Sequence, residues 1–215
     1  MKKLETHTSP KGVLVYPRID EPDFKFNPEG KYRTKMRVSE EVAAPLIKAI
    51  DEAIEQVVYE TRNNAKPADK RKIVTKNWPY ERDVDDEGEE TGDVLFKFKK
   101  THSGTSKRTG KAWESVLPLF DANGNRIPPG SINVWGGTVA KVAFQMVPYG
   151  NVSMGASVSL RMEAVQIIDL VTGGSGGSGA SFGFGEEDGY AFTAGETKPA
   201  ADTDTSEEDF DGLDF

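Results

Sequence analysis

Tyr32, Thr34, Met36 and Val38 alternate with Arg33, Lys35 and Arg37 over seven consecutive residues. Successive side chains of a β-strand point to opposite faces, so one set enters a core and the three cations share the other face. A helix would scatter both sets around its circumference. The alternation returns in Phe96-Lys97-Phe98-Lys99-Lys100, where period two sends both phenyl rings one way and Lys97 and Lys99 the other. Such strands require a sheet with one dry side and one cationic side. The second strand has two readings, a groove-lining strand or an ordinary half-buried strand with solvated lysines.

Other segments fit the same architecture. Residues 12–19, 94–100, 114–120, 138–147 and 157–170 are rich in β-branched and aromatic residues and predict further strands. Leu46, Ile47, Ile50, Ile54, Val57 and Val58 recur at helical spacing, which predicts one amphipathic helix over residues 45–62 with Pro45 in its first turn. Residues 63–76 are polar and basic, and with the acidic run after them they read as a long mobile connection. Residues 103–111, rich in Gly and Lys, read as a hairpin tip, and residues 121–125 and 128–130 as turns. Several strands, one helix and a late long hairpin predict a mainly β fold, a small barrel of the OB type.

After Leu170 the chain changes character at Gly173-Gly174-Ser175-Gly176-Gly177-Ser178-Gly179, which is flexible-linker composition. The remainder of the chain is acidic, poor in apolar residues and expected to be disordered. The chain therefore divides into a folded domain, residues 1–170, and a linker with an acidic tail, residues 171–215. The net charge of −8 hides this division. Residues 171–215 hold eleven acids against Lys198 alone, so the rest of the chain is slightly basic. A second acidic block, residues 81–93, has eight acids and only Arg82; outside it, residues 1–170 hold 16 acids and 25 bases, a footprint suited to a polyanion.

Composition excludes several chemistries. There is no cysteine, so disulfides, thiolate metal sites and a Cys nucleophile are unavailable and a reducing cytoplasm is expected. No stretch approaches a membrane span, and no apolar segment follows Lys2 and Lys3 to make an export signal. Asp121-Ala122-Asn123-Gly124-Asn125 resembles the start of a calcium loop but lacks its closing acid, and reads as a turn. His7 and His102 make no acid–base dyad or triad. Neither metal, cofactor nor catalysis is expected.

Holding a nucleic-acid single strand takes cations along the backbone path and flat rings against unstacked bases. Arg33, Lys35, Arg37, Lys97 and Lys99 supply charge, as do Lys107, Arg108 and Lys111 of the hairpin tip, with Trp113 beside them. Trp78, Tyr80 and Tyr149 lie in Pro-containing segments that could present stacking surfaces, though each also reads as packing. Trp135, beside Gly136 and Gly137, reads as a core or rim plug. Two rival classes stay open. One is an acidic interaction protein that mimics DNA or chaperones basic partners; the other is an accessory domain of a nucleic-acid enzyme.

Several stretches resemble the single-stranded DNA-binding proteins of T7-like phages: residues 30–38, Phe96-Lys97-Phe98-Lys99, residues 141–149 ending in Val147-Pro148-Tyr149, residues 155–163, and a tail closing in Asp214-Phe215. The resemblance implies an OB-fold with a helix capping the barrel. It implies single-stranded DNA binding in phage replication and recombination, in the cytoplasm of an infected bacterial host. By position, Lys99 and Tyr149 become DNA contacts. Asp214 and Phe215 become contacts to replication partners such as polymerase or helicase, and the tail bears on self-association, a homodimer included. Thr101 and Asn151 stand where the family carries aromatics, which moves stacking to Trp113, Trp78 or Tyr80 and backbone charge to Arg33, Lys35 and Arg37.

Overall fold

Five strands close into a ring in the computed structural model, which describes residues 4–25 and 27–171. They are β2 (Gly12–Asp23), β3 (Lys31–Ser39), β5 (Glu90–Thr101), β10 (Val139–Asn151) and β11 (Gly155–Asp169). β2 pairs with β3, β3 with β5, β5 with β11, β11 with β10, and β10 returns to β2. Every pairing in the ring is antiparallel except β5 with β11. Closure removes the open edges that an isolated sheet would expose. β1 (Thr6–Thr8) adds to β10 and β4 (Tyr80–Val84) to β5, while β8 (Leu119–Phe120) and β9 (Arg126–Ile127) extend the sheet beyond β11. The fold is a mainly β, OB-type barrel with one α-helix among the described residues.

The alternation read from the sequence sets the faces. Tyr32, Thr34, Met36 and Val38 are buried, and Arg33 and Arg37 point out. Phe96 and Phe98 are buried, and Lys97 and Lys99, which alternate with them, are exposed. The barrel core gathers Leu14, Met36, Phe96, Phe98, Val142, Phe144, Leu160 and Met162. The Phe98 and Phe144 rings meet edge-on, centroids 5.2 Å apart.

Helix α1 (Glu40–Asn64) packs chiefly on β10 and β11 and buries Ala43, Ile50 and Ile54. It begins five residues earlier than Pro45. Ser39 takes the N-cap position, and Glu40 and Glu41 lie in the first turn, where the positive end of the helix dipole favours acids. Pro45 therefore sits inside the helix, where it gives up the hydrogen bond that an N–H at that position would make to the Glu41 carbonyl.

Two segments expected to be loose are tied down. Ile73 is fully buried, its carbonyl accepts from Arg62 Nε at 3.0 Å, and Ala156 N–H donates to Val74 O at 3.1 Å. Gly155, at φ +77°, is needed there, because a Cβ would land on the Val74 carbonyl. The acidic block forms the β4–β5 hairpin, turned by Asp85 Oδ1, which accepts the Glu87 and Glu89 amides, and by Gly88 at φ +87°. The expected strand over residues 114–120 is interrupted over residues 115–118, which end in Pro118, leaving β7 (Ala112–Glu114) and β8. β6 (Ser103–Thr105) and β7 form a separate two-stranded hairpin carrying the basic tip. Asp121 Oδ1 accepts the Asn123 and Asn125 amides, a turn as expected. The linker and acidic tail, with Asp214 and Phe215, lie outside the described residues apart from Val171.

Candidate nucleic-acid interface

Arg33 faces Lys99 across the β3–β5 ladder, and Lys35 faces Lys97. These four cations form a grid on the outer face, since they stand at alternate positions of neighbouring strands. The grid floors an open groove of ≈1620 Å³ that runs from β2 across β3 and β5 to β11. Arg18 and Lys31 add charge at the floor, and Lys76 on the far wall. Among the described residues, none opposes Lys99 with an ion pair.

Carboxylates hold part of this charge in check. Glu81, on β4, bridges Lys35 at 2.7 Å and Lys97 at 2.6 Å. Hydrogen bonds from Lys35 and then Lys97 hold its carboxyl below the usual range, against the opposing effect of burial. Arg33 pairs with Asp23, and Arg37 pairs with Asp83 at 2.7 Å. The first two carboxylates of the acidic block, Glu81 and Asp83, thus lie on the basic face.

Aromatic rings border the floor. Trp78 is 45% exposed and meets Tyr80 edge-on, centroids 5.7 Å apart. Tyr80 is half-buried over Phe96 and donates its hydroxyl to Asp51 at 2.8 Å; burial first, then that carboxylate, pushes its pKa up to about 12. It packs and positions Trp78. Tyr149 donates to Asn77 O at 3.5 Å, which places it on the same wall.

Of the residues singled out in the sequence, Arg33, Lys35, Lys97, Lys99, Trp78, Tyr80 and Tyr149 line this one groove. Arg37 lies one step beyond it. Lys107, Arg108, Lys111 and Trp113 do not line it; they belong to the β6–β7 hairpin, where Trp113 covers the backbone of Gly104. Sequence reasoning missed Tyr16, Arg18, Lys31 and Lys76; of its two readings of Trp135, a core or a rim plug, the core one fails, because the ring is 53% exposed on the groove wall. For Tyr16 the sequence cue was Pro17, which interrupts the alternation of β2.

A family model described as the single-stranded DNA-binding protein of bacteriophage T7 matches residues 7–170. The chain belongs to this family. A single-stranded DNA-binding protein from Enterobacteria phage T3 is 30% identical over 222 residues, 96% of this chain and 93% of that protein. The crystal structure of gp2.5, the single-stranded DNA-binding protein encoded by bacteriophage T7, is 27% identical, with a TM-score of 0.62 over 89% of this chain and 100% of that one. A single-stranded DNA-binding protein from bacteriophage Enc34, solved in complex with single-stranded DNA, shares the fold at 14% identity, with a TM-score of 0.54 over 79% of this chain and 89% of that one. Proteins of the phage T7 single-stranded DNA-binding family are named for binding, and they are not enzymes. As a member, this chain carries Thr101 at the end of β5 and Asn151 in the β10–β11 turn, where Asn151 Oδ1 accepts the Met154 amide. Of the rings offered as replacements, Trp78 and Tyr80 border the groove and Trp113 does not.

Proposed function

We propose that the chain coats single-stranded DNA without reading its sequence, in phage replication and recombination within the cytoplasm of an infected bacterium. The groove carries this reading. Phosphates can follow the Arg33, Lys35, Lys97 and Lys99 grid while unstacked bases lie against the bordering rings. The names of its relatives support it. A titration with oligonucleotides of differing sequence should give similar affinities that fall with salt, with a log-log slope of about −0.7 per phosphate neutralised. Preference for one short sequence, or a flat salt response, contradicts it.

Glu81 then acts as a carboxylate that bound phosphate must displace. Glu81→Gln should raise affinity about fivefold at ~0.1 M salt and steepen the slope, since one more phosphate contact is gained. The lost pairs are about 40% exposed, so the fold should lose at most ~1 kcal/mol. Because the folded pKa of Glu81 is depressed, this stabilisation is present above the unfolded carboxylate pKa and is lost as pH falls through the folded one. Affinity equal to wild type would show that phosphate never meets Lys35 or Lys97.

The tail supplies the second part of the reading. Its eleven acids are attracted to the same basic groove and compete with DNA, and Phe215 anchors it to polymerase or helicase. Truncation is best made after Val171, whose carbonyl accepts the Trp135 amide at 3.2 Å. The truncated chain should bind single strands more tightly, by about tenfold at low salt where screening is least. A DNA mimic would instead lose its activity. Phe215→Ala should leave DNA affinity intact and weaken binding to the replication partner; normal partner binding refutes the anchor.

A further inference from the structure

Tyr16 is the one non-glycine residue with positive φ among those described, at 49°. It stands directly before Pro17, where a residue is ordinarily held extended, so the conformation is costly twice over. A bulge produces it. Val15 pairs with Lys35 and Arg18 with Arg33, so three steps along β2 oppose two along β3. Regular alternation from Gly12 and Leu14 would turn Tyr16 into the core; the extra residue turns Pro17 and Ile19 inward and leaves Tyr16 outside, 84% exposed, on the groove. The bulge serves the core by burying Pro17 and Ile19, and the ring it leaves outside stands on the groove, free to meet a ligand there.

Trp135 stands beside it on a pinned backbone. Leu14 N–H donates to Thr138 O at 2.8 Å and Gly137 N–H to Leu14 O at 2.9 Å, which carries the β2–β10 pairing into the turn. Val134 N–H donates to Asp20 Oδ2 at 3.2 Å, and Gly136 lies against the Tyr16 amide. With the backbone held on both sides, the half-exposed indole loses little freedom on meeting a ligand. Tyr16, on β2, stands at the β3 edge of the cationic floor, whereas Trp78 leads into β4 at the β5 edge and Tyr149 joins it there through the Asn77 carbonyl; all four rings line the groove.

We infer that Tyr16 and Trp135 form a second base-stacking wall, facing the Trp78 and Tyr149 wall across the floor, and that the β2 bulge presents its tyrosine. The inference rests on the single-stranded DNA reading of the groove. It also answers the missing rings at Thr101 and Asn151, because stacking lost at one end is supplied at another.

Binding of the full chain to a thymidine oligonucleotide, measured across a salt series, tests it. Tyr16→Gly removes the ring and suits the positive φ; Trp135→Ala removes the other; Tyr16→Phe and Trp135→Phe keep a π-face. The two truncations should each weaken binding about tenfold at every salt concentration, with the slope unchanged and the melting temperature within a few degrees of wild type. The two Phe variants should bind as wild type. If wild type binds and both truncations bind equally well, the wall is refuted while the groove stands. A loss that the Phe variants share, or that lowers the salt slope, refutes stacking in favour of an effect on the floor. If wild type itself does not bind, the groove reading fails and the wall with it.

Discussion

With Arg33, Lys35, Lys97 and Lys99 all replaced by alanine, affinity for single-stranded DNA should fall by about 10²–10³-fold at ~0.1 M salt. Each phosphate contact contributes a factor of about five under those conditions, because log affinity changes by ~0.7 per decade of salt for each cation. The slope itself should shrink by about 3. All four side chains are largely outside the core, and the pairs they make to Asp23 and Glu81 are surface pairs, so the melting temperature should change little. Removing Lys107, Arg108 and Lys111 together should cost less, because the β6–β7 hairpin does not line the groove. Should the hairpin variant lose more affinity than the grid variant, the strand runs over the tip and the groove has been misassigned.

Phe98→Ala should cost about 3–5 kcal/mol of stability, the range for emptying a buried phenyl site. Phe98 is 2% exposed and lies between Phe96 and Phe144, with centroids at 6.5 and 5.2 Å, in a closed barrel that has little room to collapse around the void. Its neighbours in sequence are Lys97 and Lys99, so the same residue that fills the core holds the middle of the cationic floor in register. The variant should show a much lower urea midpoint with an unchanged m-value. A loss below about 1 kcal/mol would mean that the ring is replaceable and that the floor is stiffened by something else. Set beside the charge variants, it separates the two faces of one strand: cations act on binding with little effect on stability, and the phenyl ring acts on stability first.

The sequence made the barrel legible because period two survives wherever one face is dry. Residues 32–38 and 96–99 show it without interruption, and these are the strands that form the floor. The helix was legible in its buried positions and misplaced at its start, because Pro45 is a stronger local cue than Ser39 with two glutamates after it. Residues 63–76 looked loose because polarity dominates the run, yet Ile73 and Val74 anchor it through one buried side chain and one carbonyl. The role of Glu81 was invisible for another reason. Charge counting along the chain averages a carboxylate with its sequence neighbours, whereas pairing is set by which strand lies next to which, and β4 lies against β5. Tyr16 and Trp135 were missed through the same confusion of pattern with fold. A tyrosine in a β-branched run belongs in the core by alternation, and only the bulge reverses that.

Amide chemical-shift mapping of the isotope-labelled chain, titrated with a thymidine oligonucleotide, tests the placement of the strand most directly. Shifts should concentrate at residues 33–35 and 97–99 on the floor and at Tyr16, Trp78, Trp135 and Tyr149 on the walls, with the 106–111 tip changing less. Saturable shifts confined to the tip or to the β8–β9 hairpin, with the floor unmoved, would contradict a strand lying in the groove.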